Sequence, residues 1–290
     1  MSLLRSVLPS FRVAFFIGIS LLVTGCAQLG ALMQGSVESP EVVSKTIKVS
    51  KMDFNYIYFD ADIELFNPNA IAVDLDGFDY TLDVDGKKLI QGDNNGLKLK
   101  SKGTAKINLP FKVALDSLIK LAPELLEKDE LEYKFATLLT LNGPLGFKWE
   151  HPVTLTKTVP NPKLPDIKAP KITLDTVSLS GMRVKIALPV NNPNVFGINL
   201  EQLRAALIVN GMKPVEIDRD KTIRLPAKGE TSLDIPLSFS WDSASRSLLS
   251  LLKDGDTPEI KLEGSWKLNP ELPGFDVQRT DFGFDSKKRL

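Results

Sequence analysis

From Tyr58 to Leu65 apolar and polar residues alternate almost strictly, with Phe59, Ala61, Ile63 and Leu65 on one side and Tyr58, Asp60, Asp62 and Glu64 on the other. A two-residue period sends successive side chains to opposite faces, so this run predicts a strand with one face buried and one in water. The alternation recurs where Asp79, Thr81, Asp83 and Asp85 interleave with Tyr80, Leu82 and Val84. It ends at Asp85-Gly86, a pair suited to the two left-handed positions of a tight hairpin. Leu97-Leu99 and Ile107-Leu109-Phe111-Val113 predict further strands, split by a Lys102-Gly103 turn. The period then changes: Leu118, Ile119, Leu121, Leu125 and Leu126 fall at helical spacing behind Asp116, a residue able to cap a short helix. Leu131–Leu141 returns to strand.

This order of elements occurs twice. Asn67-Pro68-Asn69 and Asn192-Pro193-Asn194 lie 125 positions apart. Each leads into an apolar frame in the same register: Val73, Leu75, Leu82 and Asp85-Gly86 in the first, Ile198, Leu200, Leu207 and Asn210-Gly211 in the second. Leu97–Gly103 matches Ile223–Gly229, and Ile107–Pro110 matches Leu233–Pro236. Asp242 or Ser243 precedes a second helical set, Leu248, Leu249, Leu251 and Leu252, after which Ile260 and Leu262 alternate with Lys261 and Glu263. Solenoid units repeat every ~20–50 residues, so so long a period denotes a duplicated domain. Many short strands, frequent turn signals and one helix per copy predict a mainly β chain of two tandem β-sandwich domains, each with one short helix closing an end or an open edge. Pro160, Pro162, Pro165 and Pro170 predict an extended, semi-rigid spacer between the copies. The division expected is a leader over 1–25, a tether over 26–41, a first sandwich over 42–158, a linker over 159–170 and a second sandwich over 171–290.

The leader carries Arg5 and Arg12 ahead of an uncharged apolar run, Val13 to Val23, shorter than the roughly 20 residues of a membrane span. It closes on Val23-Thr24-Gly25-Cys26. Small residues before a cysteine resemble the bacterial lipobox, at which the thiol is acylated and the chain is cut before the cysteine. Cys26 is the single cysteine, so its acylation leaves no thiol for a disulfide or for redox chemistry. A diacyl thioether with an added N-acyl chain anchors far more firmly than one chain does. Ala27, where Asp commonly retains lipoproteins at the inner membrane of enteric bacteria, points to the outer membrane, facing the periplasm. The chain has 36 basic and 36 acidic residues; without Arg5 and Arg12 these are 34 and 36, a net charge of −2. That balance gives no footprint for nucleic acid.

Phe66-Asn67-Pro68-Asn69 with Leu75 and Tyr80, Asn191-Asn192-Pro193-Asn194 with Phe196 and Leu200, and the Lys102-Gly103 and Lys228-Gly229 turns resemble the late-embryogenesis-abundant group 2 proteins, which carry the water-stress and hypersensitive-response domain. The resemblance runs from about Val42 to Phe284. It implies sandwiches of fibronectin-III-like type, a role in desiccation, cold or general stress, and no catalytic residues. A lipid-anchored tandem departs from the plant-type intracellular members.

The residues themselves offer little chemistry. Proline has no ladder N–H, and asparagine side chains bond nearby backbone, so Asn67, Pro68, Asn69, Asn192, Pro193 and Asn194 read as a structural strand-ending motif rather than a recognition tip. Asp74, Asp76, Asp79, Asp83 and Asp85 gather hard oxygen ligands but lack the spacing of a calcium loop, so no metal site is expected. His151 is the single histidine, too few for a zinc site or a nucleophilic triad of the usual kind. Trp149, Trp241 and Trp266 read as core or corner packing. No catalytic residue and no cofactor is expected. The leading expectation is a non-catalytic stress-protective binding module, held to a membrane by its lipid, with client proteins or lipids of the envelope as partners. Two alternatives stand beside it: an envelope assembly factor docking one protein through a contiguous apolar patch, and a carrier of a small apolar ligand in a cavity between the sheets.

Overall fold

Alternating runs become strands because each apolar face finds a second sheet to cover it. The computed structural model describes residues 37–211, 215–256 and 259–286; the leader and Cys26 lie outside the described residues, as does most of the tether. In the first half, β1 (Glu41–Met52), β2 (Tyr56–Phe66) and β7 (Thr104–Ala114) form one antiparallel sheet in the order β1-β2-β7. The opposing sheet is built on β8 (Glu130–Asn142). Along one edge of β8 runs β9 (Lys148–Pro160). Along the other lie β3 (Val73–Leu75) and β4 (Phe78–Val84), backed by β6 (Leu97–Leu99) and β5 (Lys87–Asn94). The inward residues of β2, Phe59, Ala61, Ile63 and Leu65, share one core with Leu82, Val84, Tyr133 and Phe135 of the facing sheet. Each large side chain so buried contributes about 1.5–3 kcal/mol.

The second half repeats this plan. β10 (Asp166–Ile167) and β11 (Lys171–Val177) lie along one edge of β12 (Gly181–Asn191), and β16 (Glu230–Ser240) along the other. Opposite them β13 (Ile198–Val209) carries β14 (Val215–Arg219) and β15 (Ile223–Leu225) on one side and β17 (Ile260–Pro270) with β18 (Gln278–Asp285) on the other. The chain is thus two tandem β-sandwiches. The copies differ at one place: where the first breaks between β3 and β4, the second runs on through a bulge between Glu201 and Arg204, with Gln202 at φ 50°. Asp85-Gly86 and Asn210-Gly211 both take left-handed φ at both positions, as the hairpins require.

The two α-helices among the described residues are not equivalent. In the second half α2 (Ser243–Asp254) starts on a capping box, in which the Asp242 carboxylate accepts the Ser245 N–H at 2.7 Å and Ser245 Oγ accepts the Asp242 N–H at 2.9 Å. In the first half α1 (Leu115–Leu121) corrects the sequence expectation. Ala114 holds the N-cap without a side-chain bond, and Asp116 sits inside the first turn, 3.5 Å from Lys120 one turn on. Pro123 disfavours helical geometry at Ala122 and supplies no N–H, so α1 stops there. A 3-10 turn over Pro123–Leu126 then carries Leu125 into the core.

The proline-rich stretch is strapped to both halves. Asn161 is buried and donates from Nδ2 to the Leu125 and Lys128 carbonyls at 2.9 and 3.1 Å, while its N–H bonds the Asp129 carbonyl. Two residues later Lys163 is fastened to the second half through Asn194.

Candidate functional site

Each Asn-Pro-Asn motif ends a central strand and gathers the surrounding backbone at one end of its sandwich. Asn67 is 0% exposed. Its Nδ2 donates to the Ile71 carbonyl at 2.7 Å and the Lys100 carbonyl at 3.1 Å, and its N–H donates to the Gly103 carbonyl at 2.9 Å. The side-chain amide of Asn69 then behaves as a peptide group in a ladder, accepting the Glu38 N–H and donating to the Glu38 carbonyl, both at 2.8 Å. Asn192 repeats the first set with the Phe196, Pro226 and Gly229 carbonyls, and Asn194 repeats the second with Lys163. Pro68 and Pro193 sit between them. Every polar atom named points inward to backbone, so these motifs tie the start of the sandwich, the strand end and the Lys-Gly turn into one unit.

The other candidates are dispersed. Asp74 lies 3.6 Å from Lys98, Asp76 accepts from Asn142 at 2.6 Å, and Asp85 pairs with Lys128 at 2.6 Å and accepts the Glu132 N–H at 2.9 Å. Among the described residues no three acidic, histidine or cysteine side chains gather as metal ligands. His151 lies on β9 with Nε2 3.0 Å from Ser39 Oγ. Trp266 is buried against Phe282, Trp149 stacks on Phe147, and Trp241 donates from Nε1 to the Ser178 carbonyl at 2.9 Å. Among the described residues no helix is long and apolar enough to cross a membrane.

Sequence reasoning missed the junction of the two halves, which is built by the tip of the β1–β2 hairpin. Phe54, at that tip, is only 8% exposed and belongs to the core of the second half, with its ring centroid 4.9 Å from that of Phe275. Beside it the Met52 N–H donates to the Gly274 carbonyl and the Asp276 N–H to the Met52 carbonyl, each at 2.8 Å. Lys51 meets Asp276 at 2.6 Å, and Gln278 accepts the Phe54 N–H at 3.2 Å. Across the junction Asp129 pairs with Lys228, and Lys163 lies 3.7 Å away. The Lys228 ammonium, bonded to it, holds the Asp129 carboxyl below its ordinary range. The signal available in the sequence was one large aromatic in a short polar turn, Asp53-Phe54-Asn55.

A cleft of about 650 Å³ opens beside this junction, lined by Phe54, Tyr56, Leu115 and Leu126 with Asn161 and Lys163 at its polar side. It lies between the halves. The space between the sheets of each half is filled by buried side chains.

The model of the family described as late embryogenesis abundant protein matches residues 62–157 and 187–278. Among solved structures the chain is similar to a protein of Arabidopsis thaliana determined in solution, at 15% identity over 44% of this chain and 87% of that one, with a TM-score of 0.34. A crystal structure of a protein from Archaeoglobus fulgidus is similar at 17% identity over 42% of this chain and 94% of that one, with a TM-score of 0.27. No curated protein matches the chain. Since the family model fits once over each sandwich, taking in one Asn-Pro-Asn unit each time, the chain belongs to the late embryogenesis abundant family and carries its domain in two tandem copies.

Proposed function

We propose that this chain is a non-catalytic stress-protective binding module, anchored through acylated Cys26 and facing the periplasm from the outer membrane. The observation that carries the reading is the family domain, matched twice, behind Val23-Thr24-Gly25-Cys26 and its apolar run. The outward strand faces support it. They alternate cations and anions, as in Lys98–Asp74, Lys185–Asp234 and Lys261–Glu263, in exposed pairs that hold water and are each worth little energetically. Such a surface offers weak contacts of either sign to lipid headgroups or to partly unfolded envelope proteins.

The test compares cells carrying the full chain with cells carrying Cys26→Ala. Labelled palmitate should enter the first and not the second, and survival after drying or freezing should fall in the variant. Equal labelling would end the anchor, and equal survival would end the protective role at the membrane. A second reading, a carrier of a small amphipathic ligand, is favoured by the cleft at Phe54 and Lys163. It requires saturable binding of an environment-sensitive fatty-acid probe, abolished by Leu126→Asp.

A further inference from the structure

The junction inside the chain joins unlike surfaces, the β1–β2 tip of one copy and the β17–β18 loop of the other. Duplication therefore leaves one of each unused. Leu179 lies 125 positions after Phe54, the interval that separates Asn67 from Asn192, so it occupies the corresponding hairpin tip between β11 and β12. Val177 corresponds in the same way to Met52, and each faces the equivalent residue across its hairpin, Val177 with Met182 and Met52 with Ile57. Whereas Phe54 is covered, Leu179 is 102% exposed and Val177 47%. The tip is nevertheless held in shape: Ser178 bonds Gly181 through its N–H and its Oγ, and Trp241 bonds the Ser178 carbonyl. The outer edge of β11 has no strand partner among the described residues.

The receiving loop is also duplicated. In the second copy Gly274, at φ 79°, precedes Phe275, whose N–H bonds back to the Leu272 carbonyl. In the first copy Gly146, at φ 81°, precedes Phe147, whose N–H bonds back to the Pro144 carbonyl. Here no hairpin tip docks among the described residues, and Phe147 stacks on half-buried Trp149 at 5.9 Å. The charges follow the same rule. Asp256 lies 127 positions after Asp129, the interval between the paired core positions Leu141 and Leu268, and no described cation pairs with it. Lys102, the counterpart of Lys228 in the Lys-Gly turn, turns back onto the Pro68 carbonyl.

We infer that the exposed Val177–Leu179 tip docks on the Gly146–Phe147 loop of a second copy of this chain, with Asp256 meeting Lys102 across the contact. The interaction repeats the chain's own internal junction, so the occupant is another copy rather than an unrelated protein. Such a head-to-tail contact joins different surfaces, and repeated without closure it produces a linear run of chains. It is weaker than the internal junction for two reasons: leucine replaces phenylalanine at the tip, and Glu38 stands where Lys163 supports the ion pair. The inference does not depend on the stress-protective reading.

The test uses the full chain in cells. Thr176 and Lys148 are exposed and correspond to Lys51 and Asp276, whose side chains meet in the internal junction. Cells co-expressing a Thr176→Cys chain and a Lys148→Cys chain with different tags are treated with a short bismaleimide. A mixed dimer, absent when either cysteine chain is expressed alone, is the expected result. Adding Leu179→Asp to the first chain should cut its yield about tenfold, since this puts a charge against an apolar loop. Lys102→Glu in the second chain should cut it about fivefold, and Asp256→Lys in the first should restore it. Because these positions are exposed, loss of folding does not enter. A mixed dimer no more abundant than that from Thr176→Cys with Leu138→Cys, or one insensitive to Leu179→Asp, would overturn the proposal.

Discussion

Asn67 and Asn69 bond to each other: Oδ1 of Asn67 accepts the backbone N–H of Asn69 at 3.0 Å and its Nδ2 at 2.9 Å. Asn192 and Asn194 do the same at 3.0 and 2.8 Å. The first asparagine of each pair thus fixes the second, which is then free to act as a surrogate peptide toward Glu38 or Lys163. Proline between them presets φ and removes an N–H that would otherwise lack a partner.

Asn67→Ala leaves the Ile71 and Lys100 carbonyls and the Asn69 amide without their buried partner. Orphaned buried groups cost about 1–3 kcal/mol each in context, so a loss of about 3–4 kcal/mol is expected. Asn67→Asp should be at least as damaging, because it keeps the shape but places an acceptor against two carbonyls. Urea unfolding of the variants measures this; a loss below about 1 kcal/mol would show that the motif is not what ties the sandwich end.

Phe54→Ala should act on coupling rather than on either sandwich. The ring belongs by sequence to the first half and by packing to the second, so its removal opens a gap at the junction and costs about 3 kcal/mol. In a calorimeter the wild-type chain is expected to unfold with its halves coupled, and the variant to show two separated transitions. An unchanged thermogram would mean that the linker and the Asp129–Lys228 pair suffice to hold the halves together.

Strands were legible because alternation is a local signal with a physical cause. The Tyr58–Leu65 pattern, the Asp85-Gly86 and Asn210-Gly211 turns and the long repeat placed both sandwiches. The end of α1 was written at Pro123 but obscured by the regular leucine spacing that continues across it into the 3-10 turn. The roles of Glu38, Lys163 and Phe54 were not legible, since each depends on a residue far along the chain. Glu38 and Lys163 offer only backbone groups to Asn69 and Asn194, which no side-chain pattern can announce. Phe54 looks like any exposed turn aromatic until the second half is in place.

Tyr133 carries an opposite lesson. It is fully buried on β8 between Phe59 and the rest of the first core, and its hydroxyl has no hydrogen-bond partner among the described residues. Burial, with a smaller push from the Asp85 charge, drives its ionisation far above the usual tyrosine range. Tyr133→Phe removes an unsatisfied polar group without changing the ring, so it should stabilise the chain by about 1 kcal/mol. The unfolding midpoint should move to higher urea at constant slope. A destabilised variant would reveal a partner for the hydroxyl.

The Asp129 carboxylate links folding to pH across the junction. The hydrogen bond from Lys228 is the main cause that lowers its pKa from the ordinary value of 3.8, with Lys163 adding a weaker charge effect. A carboxyl lowered in the folded state binds its proton more readily when unfolded. Its contribution is therefore complete above the unfolded value and disappears as pH falls through the folded one. Asp85, Glu124, Glu201 and Glu271 are lowered too, so acid weakens the chain at several places at once. The difference between wild type and Asp129→Asn isolates the junction. That difference should be constant well above the unfolded carboxylate value and shrink as pH falls through it toward the lowered folded value. Replacing Lys228 by Met should flatten the same window. A gap between wild type and Asp129→Asn that persists undiminished at the acid end would assign the effect of Asp129 to packing rather than to its charge.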